Sequence, residues 1–239
     1  MLHNGVAKER LVPTPNQSLR STLRRSIREV YRGRGRRNSN LWLVYSVKTD
    51  RDWILPSDRQ LVHWLYFLES EPTVSTFDLA PGPIVSTDDK EIRGAELDAV
   101  AVYRDGHIEW HEIKAATRNP IDRSQFLAQA AAATKEGVKY TVFTDHILRP
   151  VAAVALRWIK PLSFAAMLRG QEQAPCRTSL AAYFREHKKG TIRTALTDLA
   201  QFDQPVVLGM MVRMGVENVI HFDLSRRSFG LQTEWSLNG

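Results

Sequence analysis

Asp98, Glu112 and Lys114 set two carboxylates and an ammonium within one short stretch of chain, residues 96–114. Two carboxylates a few ångströms apart repel each other unless a cation lies between them or one takes up a proton. Hard oxygen ligands suit Mg²⁺, with Mn²⁺ as a substitute, and Mg²⁺ keeps several waters and a substrate phosphate in its shell. A neighbouring ammonium orients an attacking water or stabilises charge on a scissile phosphate. The same residues also read as charges decorating a solvated hairpin edge, a common surface pattern.

A hairpin is what would bring them together. Two apolar-rich runs flank Asp105-Gly106, the strongest short-range hairpin signal. Side chains alternate along a strand, so Ile108, Trp110, Glu112 and Lys114 share one face and Glu109, His111 and Ile113 the other. Folding about the turn pairs Asp98 with Glu112, and Lys114 follows two residues further on the same face.

The elements around this hairpin are legible in order. Leu41 to Val47 reads as a strand and Lys48 to Asp52 as a polar turn. Ser57 and Gln60 form a capping box, and Leu61, Trp64, Leu65 and Leu68 give the following helix one core face, up to about Glu69. Thr73 to Leu79 reads as a strand, Ala80 to Pro83 as a loop, and Ser86 to Arg93 as a polar lead into the hairpin. A second helix follows Pro120, with Asp122 as its cap, Gln125 at the box position and Gly137 at its end. Its alanines, Ala130 to Ala133, let it lie close to a sheet, and Val138 to Phe143 is the next strand. From Ser57 to Phe143 the order is helix, three strands, helix, strand, an α/β arrangement with one mixed sheet.

Composition bounds the rest. The 239 residues suffice for one large domain or two small ones, in the composition of an ordinary globular protein. No apolar run approaches a membrane span, and the N-terminus lacks the apolar core of a signal peptide. The single cysteine, Cys176, excludes an intrachain disulfide and a cysteine-rich zinc site, and a reducing, cytoplasmic setting fits. The seven histidines are scattered, giving little support to zinc chemistry.

The net charge of +7 is unevenly placed: residues 1–40 carry ten Lys or Arg against Glu9 and Glu29, so the remaining chain is at −1. The arm concentrates arginine at Arg20, Arg24, Arg25, Arg28, Arg32, Arg34, Arg36 and Arg37. Two readings stand: a solvated basic tail, or an arm that tracks the phosphates of DNA, which the forked donors of arginine serve well.

Order and motifs together are similar to the PD-(D/E)xK nuclease core, with Asp on one hairpin strand and Glu-x-Lys on the next. The Pro that often precedes the Asp is Leu97 here. Ser46-Val-Lys48, Ser57-Asp-Arg-Gln60, the segment from Leu68 through Glu69, Ser70, Glu71, Pro72 and Thr73 to Val74, and Thr144-Asp145 resemble the TnsA-like endonuclease subunit of heteromeric transposases. The likeness spans about Tyr45 to Asp145. It implies a restriction-endonuclease-like mixed sheet flanked by helices. It also implies Mg²⁺ held by Asp98 and Glu112, assistance from Lys114, and cleavage of double-stranded DNA at the ends of a mobile element. The partners implied are a strand-transferring transposase subunit and an AAA+ ATPase regulator. In that family a helix-start Glu contributes to the metal site, and this chain has Gln60 there. Gln60 is either a cap alone or part of the site, and Asp58, Glu69 or Glu71 are alternative carboxylates. A module that keeps the fold for DNA and partner binding without catalysis is the rival reading, and a stand-alone restriction or repair nuclease is the third.

The organisation expected is a basic arm (1–40), a nuclease domain (41–148) and a small helical C-terminal domain (149–239). In the last, Val151 to Ile159 and Ser163 to Leu168 are helical about Pro161, and Gly170 to Pro175 is a linker. Ser179 to His187, Ile192 to Gln201 and Val206 to Met214 read as three helices, ended by Gly190, Pro205 and Gly215. Val219 to Leu224 and Ser228 to Thr233 form a hairpin with Arg226 and Arg227 at its tip. Three helices and a hairpin resemble a winged helix, which TnsA-like proteins carry at this place. The methionine-rich third helix suits a core, or a face for a partner protein, better than base readout. Arg226 and Arg227 suit either phosphate contact or a plain polar turn.

Overall fold

The computed structural model describes residues 40–81, 84–88, 91–95, 97–115 and 120–238. The arginines of the arm, Arg20 to Arg37, lie outside the described residues. Among those described, the fold is mixed α/β, with a mixed sheet and helices packed on it.

The chain enters through an antiparallel ribbon, β1 (Trp42–Ser46) and β2 (Arg51–Leu55). The turn between them is shorter than the polar run 48–52 suggests. Trp53 and Leu55 alternate inward, which extends the strand back through Asp52 to Arg51, and Asp50 closes the turn in the left-handed region at φ 47°. Ser57 then caps α1 (Asp58–His63) by accepting a hydrogen bond from the Gln60 amide N–H at 3.2 Å. Leu61, Trp64, Leu65 and Leu68 are buried, as their spacing predicts.

Beyond His63 the helix widens into a π-helical turn, Trp64–Glu69, closed by the Ser70 N–H to the Leu65 carbonyl at 3.1 Å. A buried carboxylate lies at its end. Glu69 accepts from Ser46 Oγ and from the Val47 N–H, both at 2.6 Å, while Lys48 Nζ donates to the Leu68 carbonyl at 2.7 Å and also to that of Glu71. Two sequence motifs far apart in the chain, Ser-Val-Lys and Leu-Glu-Ser-Glu-Pro, are therefore the two halves of one clamp.

The central sheet has the order β3–β6–β7–β8, with β3 (Val74–Asp78), β6 (Ala99–Tyr103), β7 (Ile108–Lys114) and β8 (Lys139–Thr144). The first three are antiparallel neighbours, and β8 runs parallel to β7 across the crossover helix α2 (Pro120–Glu136). The helix begins at Pro120 itself, so Asp122 lies inside its first turn instead of capping it. Proline suits the first helical position because its missing N–H would have no partner there. Gly137 ends the helix at φ +69°. The stretch expected as a polar lead instead forms a separate hairpin, β4 (Ile84–Asp88) and β5 (Glu91–Ala95). Polar content conceals it in the sequence, because no core face marks either strand.

After β8 the chain turns helical: α3 (Asp145–Leu156), α4 (Ile159–Met167), α5 (Ala174–His187), α6 (Ile192–Asp198) and α7 (Gln204–Val216). The expected division at 148/149 falls within α3. Prolines mislead in this region. Pro150 sits inside α3, Pro161 lies in the first turn of α4, and Pro205 opens α7. Gly215 lies within α7 because a Cβ there would come 2.7 Å from the Phe222 ring. A three-stranded sheet completes the chain, in the order β10–β11–β9, with β9 (Lys189–Thr191), β10 (Ile220–Phe222) and β11 (Glu234–Leu237). The second hairpin strand comes after Thr233, not before it. Phe229 is buried and Thr233 Oγ1 accepts from the Gly230 N–H at 2.9 Å, so residues 223–233 fold back as a loop.

One apolar core runs from Trp53 on β2 to Trp235 on β11. Polar ties cross between its two halves: Arg169 to Asp52 through both guanidinium ends, and Arg104 Nη2 to the Glu217 carbonyl at 3.0 Å. The methionines of α7 belong to this core; Met210, Met211 and Met214 are buried. Gly209 lets α7 approach α4, since a Cβ there would lie 2.6 Å from the Phe164 carbonyl oxygen. Gly209→Ala is therefore expected to destabilise the protein by about 1–3 kcal/mol, the usual range for overpacking against an immovable group. Urea denaturation measures this, and an unchanged midpoint would mean that the two helices are free to separate.

Candidate active site

The β6–β7 pairing begins at Ala99 opposite His111, and just before it the Asp98 N–H donates to the His111 carbonyl at 3.2 Å, one residue short of the Glu112 pairing expected from the turn. Asp98 nevertheless lies close enough to Glu112 for its charge to act on that carboxyl. Asp98 has just left the strand, and its carboxylate is held from two directions. Oδ2 accepts from the Ile113 N–H at 2.7 Å and Oδ1 from Gln60 Nε2 at 3.1 Å. Gln60 therefore does not complete the reciprocal capping box. Its backbone takes the cap from Ser57, and its side chain reaches across to the sheet.

Glu112 is 2% exposed. Lys114 Nζ lies 2.8 Å from Oε1, and Gln129 Nε2 donates to Oε2 at 3.4 Å. Gln129, itself buried on α2, is oriented by Tyr140, whose hydroxyl donates to its Oε1 at 2.7 Å. Burial pushes the Glu112 carboxyl up, and the Asp98 charge adds to the rise, while Lys114 and Gln129 oppose it. This is the electrostatic tension that two adjacent carboxylates create, present in the fold itself. Gln129 and Tyr140 carry no motif signal, because only the α2–β8 packing brings them to Glu112.

The other carboxylates near the helix are engaged elsewhere. Asp58 accepts from Asn40 Nδ2 and Trp42 Nε1, both at 2.9 Å, Glu71 from the Thr73 hydroxyl at 2.7 Å, and Glu69 from the clamp. Asp145 forms a forked ion pair with Arg59 at 2.6 and 3.0 Å, joining the start of α3 to the start of α1. None of these comes to Asp98. Among the described residues no three His, Cys, Asp or Glu side chains gather into a group that could hold a metal. Mg²⁺ does not require such a cage: one or two carboxylates and substrate phosphate suffice. Asp98 and Glu112, with the raised Glu112 carboxyl between burial and a like charge, fit that demand.

A cleft of about 200 Å³ opens beside Asp98, with Gln60, His63 and Asp98 as its polar lining and Leu55, Leu79 and Ile113 among its apolar walls. Behind it lies a buried imidazole pair that the sequence does not signal. His63 Nε2 and His111 Nδ1 are 2.9 Å apart, and His111 Nε2 is 3.9 Å from Glu109 Oε1. Glu109 in turn meets Lys139 Nζ at 3.0 Å and the Thr141 hydroxyl. Phe67 and Phe143 pack on the rings. Burial pushes both histidines down, His111 to about 4, with the neighbouring imidazole adding to the effect at His63.

Arg226 and Arg227 are exposed in the β10–β11 loop, far along the chain from Asp98. No helix among the described residues is long and apolar enough to cross a membrane. No protein-family model matches the chain, and no curated protein matches its sequence.

The imidazole pair has a pH consequence. Both rings are neutral in the fold but take up protons in the unfolded chain near the ordinary value of 6.5. The unfolded state then binds more protons, so stability falls as pH drops from about 6.5 toward about 4. The raised carboxyls of Glu69 and Glu112 act with the opposite sign. Comparison with a His63→Leu/His111→Leu variant, which retains both carboxyls, isolates the histidines. The variant is expected to show a shallower loss of melting temperature on acidification, and parallel curves would mean that the pair is not held neutral.

Proposed function

We propose that the chain is a metal-dependent DNA endonuclease subunit that works within a heteromeric transposase. Its reaction would be hydrolysis of a phosphodiester at the end of a mobile element. The observation that carries this reading is the meeting of Asp98, Glu112 and Lys114 at one end of the β6–β7 hairpin, with burial and like charge both acting on Glu112. Asp98 and Glu112 would hold Mg²⁺, which supplies positive charge at the scissile phosphate and a more acidic water. The protein's own part is positioning. The Ile113 N–H and Gln60 fix Asp98, Gln129 and Tyr140 fix Glu112, and Lys114 brings an ammonium to the same edge for the attacking water or the developing charge.

Charge distribution supports recruitment of DNA by the flanking segments. Residues 41–148 carry 11 Lys or Arg against 17 Asp or Glu, a net of −6, whereas residues 149–239 carry 12 against 7, a net of +5. A polyanion approaching the carboxylate site is repelled by its own unit and attracted by the arm, at +8, and by the C-terminal unit. Within the latter, from α5 to β11, the order helix, strand, two helices, two strands supports a winged-helix reading. Its third helix, α7, is committed to the core, so phosphate contact falls to exposed groups such as Arg226 and Arg227. A non-catalytic module for DNA and partner binding is the second reading, favoured by the neutral Gln60 beside Asp98.

The test is nicking of element-end DNA in Mg²⁺ or Mn²⁺, with and without the co-encoded transposase. Asp98→Ala and Lys114→Ala are expected to lower cleavage by on the order of 10²–10³ or more while the fold persists. Near-normal cleavage by both would sink the assignment, and no cleavage by the unaltered protein with its partners would favour the non-catalytic module. Deletion of residues 1–40 is expected to weaken binding to all DNA sequences and to flatten its salt dependence. The slope should fall by roughly 0.9 for each phosphate that the arm would otherwise neutralise. An unchanged slope would assign the arm to another task.

A further inference from the structure

We infer that Gln60 sets when the Asp98–Glu112 site accepts a divalent cation: its amide occupies the place of a cation at Asp98 and must turn before a metal is held there. The inference rests on the nuclease reading and concerns the control of that same site.

Asp98 receives one donor from the strand and one from the helix. The Ile113 N–H, at 2.7 Å, is fixed by the sheet, but the Gln60 amide, at 3.1 Å, is not. Half a rotation about the last side-chain bond exchanges its NH₂ and its oxygen. In the present arrangement Asp98 is satisfied at the expense of Gln60 Oε1, which is buried and without a hydrogen-bond partner. A buried acceptor left in this way is unfavourable. The turned amide would present that oxygen toward a cation shared with Asp98, and only the Ile113 N–H would then donate to the carboxylate.

Only the side chain need move. The backbone of residue 60 is held by the Ser57 cap at 3.2 Å, and the neighbouring Arg59 is locked to Asp145. No other carboxylate takes the place of Gln60, since Asp58, Glu69 and Glu71 are each committed to other partners. The negative charge offered to a dication is that of Asp98 and Glu112, with Lys114 2.8 Å from Glu112 opposing it. An amide oxygen adds a ligand without adding charge, and affinity for hard cations rises with the charge of the ligand set. The missing charge is carried by DNA phosphate, so the metal is taken up together with the substrate and only weakly before it.

Mn²⁺ titration calorimetry and thermal melting of the full chain test this, each with and without a short DNA duplex. The variants are Gln60→Glu and Asp98→Ala. Glu at this position keeps the cap, because the Ser57 hydroxyl accepts from the backbone N–H of residue 60 and not from its side chain. Gln60→Glu is expected to bind Mn²⁺ roughly tenfold more tightly without DNA, through the added ligand charge. Its metal-free melting temperature should fall by about 2–4 °C as two carboxylates face each other, and Mn²⁺ should restore it. The unaltered protein is expected to gain Mn²⁺ affinity when the duplex is added. If binding depends on Asp98 but neither affinity nor melting responds to Gln60→Glu, the Gln60 side chain has no part in metal uptake and the inference is overturned with the site intact. If no protein binds Mn²⁺ in an Asp98-dependent manner, with or without duplex, the site assignment itself is overturned.

Discussion

The buried carboxylate of Glu69 is the constraint on which the approach to the site depends. An ionised carboxylate taken out of water costs several kcal/mol unless its oxygens are met by donors. Here the donors can come only from the β1–β2 turn, through Ser46 Oγ and the Val47 N–H, and Lys48 closes the arrangement on the carbonyls at the helix end. Burial lowers the Lys48 ammonium to about 8, with the Glu69 charge opposing the fall, and it raises the Glu69 carboxyl, against which the Ser46 and Val47 hydrogen bonds act first and the Lys48 charge after them. Satisfying Glu69 fixes the ribbon to the C-terminal end of the helix. The ribbon's second strand then runs back along the helix to Pro56 and Ser57, where the helix starts. The widened turn at Trp64–Glu69 accommodates this closure, which a regular helix with its shorter hydrogen-bonded loop would place differently.

From that clamp the position of Gln60 follows. The helix is pinned at its far end by Glu69, at its start by the Ser57 cap, and sideways by Arg59 on Asp145. Gln60 is thereby held over the end of the β6–β7 hairpin, the one place where Asp98 has left the ladder and retains carboxylate capacity beyond the Ile113 N–H. Glu112, on β7 itself, is constrained independently through Lys114, Gln129 and Tyr140. Asp98, just before β6, is held by the helix through Gln60 and by the sheet through the Ile113 N–H. Such rigidity favours a site whose task is to present charge at a fixed spacing.

What the sequence discloses and what it hides divide along a physical line. The nearness of Asp98 to Glu112, Lys114 beside it, Ser57 as cap and the apolar face of Leu61 to Leu68 are set by local periodicity and turn chemistry, which operate over a few residues and leave a pattern. The β4–β5 hairpin is hidden by its polar composition, and β2 because only Trp53 and Leu55, in a short run between turns, mark its inward face. Prolines at 161 and 205 look like stops in the sequence, yet they occupy first turns, where their missing N–H is harmless. Gln129, Tyr140 and the His63–His111 pair are products of packing between distant segments. Only the alanine-rich face of α2 hints that something on that helix comes close to the sheet. The motif resemblance points to Ser46, Lys48 and Glu69 together, but their role, one clamp, is visible only once the turn and the helix end are seen in contact.

The distribution of charge completes the physical picture. Two carboxylates on residues 41–148, whose net charge is −6, oppose each other and would also oppose the polyanionic substrate proposed above. Within the pair the opposition is met by Lys114 at Glu112 and by the Gln60 amide at Asp98, one charged and one neutral. Toward DNA, the substrate proposed above, it would be met by the positive charge of residues 1–40 and 149–239. The polar ties between halves, Arg169 on Asp52 and Arg104 on the Glu217 carbonyl, hold the attracting unit against the repelling one. Because Arg169 grips β2 at Asp52, and β2 ends at the cleft wall formed by Ile54 and Leu55, the positively charged half of the molecule is joined through the core to the wall beside Asp98. In the proposed nuclease, attraction of DNA and placement of the scissile bond would therefore be two functions of one continuous core.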